Sequence, residues 1–138
     1  MSLRFVLLPL LVQVALTFVL LFTTGNLRWR ALTTGEVHPK DIALREQNWP
    51  KRATQFANAY QNQLELPILF YVLTILELIT RQADILFVLL SWVFVLLRFA
   101  QVYIHVTHNR VRRRGMVFGA SALVLLVMWI AFTIRIML

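Results

Sequence analysis

Apolar positions in this chain gather into four long runs divided by polar segments. Phe5–Phe22 contains no charged residue, Phe56–Thr80 two carboxylates, Ile85–Thr107 one arginine and Met116–Ile134 none. Crossing the hydrocarbon core of a bilayer, about 30 Å, takes roughly 20 helical residues, so each run predicts a transmembrane helix. The expected spans are about 3–24, 55–80, 84–108 and 115–137. Pro9 falls in the first turns, where a missing N–H costs least, and Gly25-Asn26 reads as the first stop signal. The short turn Thr80-Arg81-Gln82-Ala83-Asp84 makes the second and third helices antiparallel neighbours. Residues 26–54 form the one long polar loop, with a short helix expected over Asp41–Gln47, and residues 109–115 form a second loop. The pattern predicts an all-α membrane protein, a four-helix bundle forming one domain over residues 1–138.

The first run is not read as a secretory signal. It exceeds the roughly 7–15 apolar residues of a signal core, and Thr23-Thr24-Gly25-Asn26 lacks a small-x-small cleavage pattern.

Composition agrees with a membrane solvent, since 59% of residues are hydrophobic and 14% charged. A net charge of +8 would suit phosphate contacts in nucleic acid. However, the cations are mostly arginines just outside the apolar runs, where they set orientation and meet lipid phosphates. A nucleic-acid partner is therefore not expected; membrane lipids are. Six Lys and Arg lie in the 26–54 loop and four in the 109–115 loop, whereas Arg4, Arg81 and Arg135 lie on the other face. The positive-inside rule places both loops in the cytoplasm and both termini outside. The chain has no cysteine, so any thiol chemistry must use a thiol brought by a substrate.

Two polar stripes interrupt the apolar spans. The second helix carries Asn58, Gln61, Asn62 and Glu65, and the third carries Arg98, Gln101, His105, His108 and Asn109, at spacings that put each set on one helical face. A charge at mid-bilayer costs about 2.5–3.5 kcal/mol on insertion scales, so these stripes face protein or water. Glu65 precedes Gln82 by seventeen positions and Arg98 follows it by sixteen. Equal depth predicts a direct Glu65–Arg98 pair. The stripes end near Arg110, Arg112, Arg113 and Arg114, predicting a cytoplasm-facing polar cavity with a cationic mouth, suited to an anionic ligand. Packing glue between helices is the plainer alternative. His38, His105 and His108 lack a set of co-ligands, so no metal is expected. Trp49, Trp92 and Trp129 read as apolar or interfacial anchors.

The segment Asn62-Gln63-Leu64-Glu65-Leu66-Pro67, Arg98 in the third helix and Arg110 to Arg114 before the fourth resemble the MAPEG family, the membrane-associated proteins in eicosanoid and glutathione metabolism. The stretch Arg98 to His105 with Thr107 to Arg110 looks most like a bacterial branch, implying a bacterial inner membrane with both termini periplasmic. The resemblance covers essentially the whole chain. It implies a homotrimer holding glutathione between subunits, with Arg28, Asn62, Glu65 and Arg98 as binding residues, to which the polar stripes and the basic loop add Asn58, His105 and Arg110. It also implies that Arg114 is catalytic, lying beside the glutathione sulfur and stabilising its thiolate. The sequence departs from the family's eicosanoid enzymes at Asn58, Tyr60 and Gln61, which replace arginines and a histidine. Phe118 and His105 each stand where those enzymes have a tyrosine.

Two readings are open. One is a glutathione-dependent transferase or peroxidase acting on a hydrophobic small molecule. The other is a non-catalytic membrane trimer that binds a lipid or a partner protein. A small transporter or channel subunit is disfavoured because no helix interrupted at mid-membrane is expected.

Overall fold

The computed structural model describes residues 1–44 and 48–138. Its elements are α1 (Leu3–Thr33), a 3-10 turn (Pro39–Asp41), α2 (Lys51–Asn62), α3 (Leu66–Ile79), α4 (Ile85–Val106) and α5 (Val111–Met137). With α2 and α3 taken as one span, four segments are long and apolar enough to cross a membrane. Of the expected short helix over Asp41–Gln47, Asp41 ends the 3-10 turn, and residues 45–47 lie outside the described residues.

Helix α1 runs past its expected end at about Thr24. Gly25-Asn26 does not stop it, because one glycine costs only about 1 kcal/mol within a helix and the next turns gain burial through Ala31. The stop is Gly35, at φ 79°, where the left-handed conformation costs glycine little. At 31 residues and about 1.5 Å per residue, α1 exceeds the hydrocarbon core and carries Arg28 and Arg30 beyond it. The polar loop accordingly begins nearer residue 34 than 26, and α5 begins at Val111, not 115.

The second span is broken, contrary to the expectation of uninterrupted helices. Residues 63–65 form a turn between α2 and α3, closed by contacts such as Gln63 N to Tyr60 O and Leu64 N to Gln61 O, at 2.9 and 3.0 Å. Pro67 explains the break: it has no N–H for the carbonyl of Gln63, and its ring clashes there in a continuous helix. Leu66-Pro67 instead fits the first turn of a new helix, where the orphan N–H groups need no intrahelical acceptor.

α1 packs against α2, α3 and α4, while α5 packs against α4 and α3. The main core joins Val6 with Phe70, Leu73, Phe94, Val95 and Met128, and the Phe70 and Phe94 rings lie 4.9 Å apart. Leu11, Phe18, Phe22, Leu96 and Ile130 project outward, as expected of a surface solvated by lipid.

At one end of the bundle Asp84 caps α4 by accepting from Phe87 N at 2.9 Å. It also meets Arg135 Nη2 at 2.6 Å, and Arg135 Nη1 donates to Gln82 O at 3.2 Å. Burial alone would raise the Asp84 carboxyl, but the bonds from Arg135 and Phe87 outweigh it and hold the group below its ordinary range. At the other, basic end, Asn109 takes φ 49° and makes the tight corner from α4 into α5.

Candidate functional site

A cavity of about 400 Å³ opens at the basic end between the broken span, α4 and α5. Asn58, Gln61, Asn62 and Glu65 line one side, Gln101 and His105 a second, and Arg114, Gly115 and Phe118 a third. The two stripes therefore meet in one place, and the first turn of α5 brings Arg114 to them. Arg114 is half-buried, with Nη1 donating to Asn109 Oδ1 at 2.8 Å. The left-handed corner at Asn109, a conformation asparagine tolerates better than most residues, thus also fixes a guanidinium at the cavity wall.

Arg98 is fully buried behind that wall. It donates through Nη1 to Gln101 Oε1 at 2.6 Å, through Nη2 to the carbonyl of Asn62 at 2.8 Å, and through Nε to Gln63 Oε1 at 3.4 Å. The expected direct Glu65–Arg98 ion pair is not formed. Depth counting assumed a continuous helix, and the turn at 63–65 displaces Glu65 into the cavity, where it is exposed. The two charges communicate through Asn62 instead. With its amide oriented to face donors with oxygen, Asn62 accepts from Gln101 Nε2 at 2.6 Å and from Arg98 Nη2 at 3.3 Å, and donates to Glu65 Oε2 at 3.2 Å. In that orientation the amide oxygen, not the nitrogen, lies 3.4 Å from His105 Nε2.

The layer extends to α1 through residues that neither stripe includes. Gln13 is fully buried and donates through Nε2 to Gln63 Oε1 at 2.8 Å, while Gln63 Nε2 donates to Ala59 O at 3.0 Å. Gln63 thereby holds the end of α2 to both α1 and Arg98. Gln13 was signalled in the sequence as the sole amide inside an uncharged apolar run.

Arg28 lies elsewhere, in an adjacent cavity of about 480 Å³ that shares Asn58 and Gln61 with the first. Its guanidinium stands 4.9 Å from the Trp49 ring centroid, a cation–π contact that gives Trp49 a use beyond anchoring. Arg110 is exposed and precedes α5 without lining either cavity, and His108 is exposed, accepting from Arg110 N at 3.3 Å. Of the binding candidates, then, Asn58, Asn62, Glu65 and His105 share a cavity with Arg114, Arg98 supports them from behind, and Arg28 and Arg110 stand apart.

No curated protein and no solved structure matches the chain. The profile of the MAPEG family does, over residues 6–134, nearly the whole length and every helix around the cavity. This chain belongs to the MAPEG family.

Proposed function

We propose that the chain is a glutathione-dependent transferase or peroxidase for hydrophobic electrophiles that arrive from the bilayer. The observation that supports it best is the convergence of Arg114 with Asn62, Glu65 and His105 around one cavity at the basic end. The chain has no thiol of its own, whereas the family is associated with glutathione, whose thiol ionises more readily beside a cation. Arg114 would stabilise the thiolate, and the polar wall would hold the peptide. In the transferase the sulfur bonds to an electrophilic carbon while the leaving group departs with the electron pair. In the peroxidase it attacks the terminal hydroperoxide oxygen, the O–O bond breaks as the alcohol leaves, and a second glutathione attacks the resulting sulfenic acid to give the disulfide and water.

A homotrimer fits this reading. Asn58, Gln61 and Glu65 are exposed on a single chain, and uncovered polar groups within a membrane are costly; a neighbouring subunit would cover them and could complete the glutathione site. The excess of cations at the cavity end supports a cytoplasmic opening, with both termini periplasmic in a bacterial inner membrane. Phe118, in the cavity wall one turn after Arg114, favours the second reading, a non-catalytic trimer for a lipid or partner protein, because it offers no hydroxyl to the thiol.

Turnover of a generic electrophile with glutathione separates the two. Arg114→Ala should abolish it with assembly retained, and Arg113→Ala, exposed in the same turn, should leave it nearly unchanged. Absence of both turnover and stabilisation by glutathione in the wild type would replace the enzyme with the binding scaffold.

A further inference from the structure

At the end of the bundle remote from Arg114, α3 carries a second intramembrane carboxylate. Glu77 is 2% exposed, and its Oε2 has no hydrogen-bond partner among the described residues. The nearby cation does not neutralise it by contact, because Arg135 donates to Asp84 and to the carbonyl of Gln82. Glu77 lines a cavity of about 340 Å³ between the start of α1 and the end of α3, whose walls include Leu3, Val6 and Leu78. Arg81 stands on the rim, one turn from Glu77 toward the end of the bundle. Neither Arg81 nor the amino group of Met1, on the same rim, reaches Glu77 as an ion pair.

Two features give this cavity a ligand chemistry. A buried carboxylate without a partner is costly, and a hydrogen-bonded cation removes most of that cost. Arg81 sits just after the end of α3 with φ 56°, a position usually taken by glycine or asparagine. The cavity thus offers an inner carboxyl group that lacks a partner, an outer cation and apolar walls, at the end of a transmembrane helix hairpin, the level of lipid headgroups.

We propose that this cavity binds the headgroup of an amine-bearing phospholipid, with Glu77 taking the ammonium and Arg81 the phosphate. The inference is independent of the glutathione reading, since it shares no residue with that site. A primary ammonium can donate hydrogen bonds to Glu77; a trimethylated one cannot.

Delipidated protein in mild detergent, titrated with phospholipids of identical acyl chains and followed by native mass spectrometry, tests it. Wild type should bind phosphatidylethanolamine about tenfold more tightly than phosphatidylcholine or phosphatidylglycerol, with affinity falling through the mono- and dimethylated headgroups. Glu77→Gln should erase that preference, and Arg81→Ala should weaken all of these lipids. The methylation series needs no variant, so a poorly folded Glu77→Gln protein does not blunt the test. Equal affinity across the series in the wild type, or an unchanged preference in a folded Glu77→Gln protein, overturns the proposal. Soluble O-phosphoethanolamine binding as tightly as the lipid would overturn the lipid assignment.

Discussion

Arg98 donates through Nη2 to the main-chain carbonyl of Asn62 at 2.8 Å, so a side chain of α4 completes the hydrogen bonding of a helix that stops inside the membrane. Arg98→Leu would leave that carbonyl only the long bond from Glu65 N, at 3.5 Å, and would strand Gln101 Oε1. It should destabilise by about 3 kcal/mol or more, while Glu65→Gln, at an exposed position that keeps an acceptor for Asn62, should cost less than about 1 kcal/mol. Unfolding in mixed micelles should also show stronger coupling of Arg98 to Gln101 than to Glu65 in double-mutant cycles. A reversed order would restore the direct pair.

The bond from Arg114 to Asn109 gives a test in which backbone and side chain separate. Asn109→Gly keeps a residue at ease at φ 49° but removes the acceptor. Stability should change by less than about 1 kcal/mol, whereas glutathione-dependent turnover, under the proposed function, should fall about tenfold. Thermal melts and initial rates on one preparation measure both, and an unaltered rate would show that Arg114 needs no such support.

Acid should loosen the remote end. The Asp84 carboxyl is held below its ordinary range in the folded protein, so its contribution is present above the unfolded value, about 4, and is lost as pH falls through the lower folded value. Asp84→Asn keeps a good helix cap but not the charge, and at this partly exposed site should cost less than about 1 kcal/mol at pH 7. The difference in melting between wild type and variant should shrink as pH falls below about 4 and vanish once the carboxyl is protonated in the folded protein as well. A difference that persists there would assign the effect to packing.

Much of this fold is legible in the residues, and the exceptions have local causes. The four spans follow from apolar runs because lipid demands them regardless of partner. Gly25-Asn26 has the composition of a stop signal but lies within α1, whereas Gly35, which ends the helix, lies in the polar segment that follows the first apolar run. Pro67 is the sign of the break in the second span: it cannot donate to the carbonyl of Gln63, and the turn it forces at residues 63–65 displaces Glu65 from Arg98. The stripes marked the side chains that line the main cavity on α2–α3 and α4. They missed Gln13 and Gln63, whose importance comes from contacts between helices that spacing along one helix does not encode.

Orientation is testable without knowing any ligand. A reporter active only in the cytoplasm should work when inserted near Pro39 or Arg112 and fail when fused after Leu138. The opposite pattern would reverse the proposed placement of the basic end.

Native mass spectrometry should release a trimer from mild detergent. A monomer that stays dispersed and folded across several detergents would mean that the polar groups exposed on one chain are solvated by other means.

The interruption at residues 63–65 also changes the electrostatics of the bundle. Each half-helix has its own macrodipole, equivalent to about half an elementary charge at either end. The negative end of α2 stops at Asn62, whose carbonyl faces Arg98, and the positive end of α3 begins at Leu66, directly after Glu65. Cation and carboxylate therefore each meet a fixed opposite field from the backbone, and neither has to touch the other. A continuous helix would move both fields to the ends of the span and leave the two charges to be balanced by side chains alone.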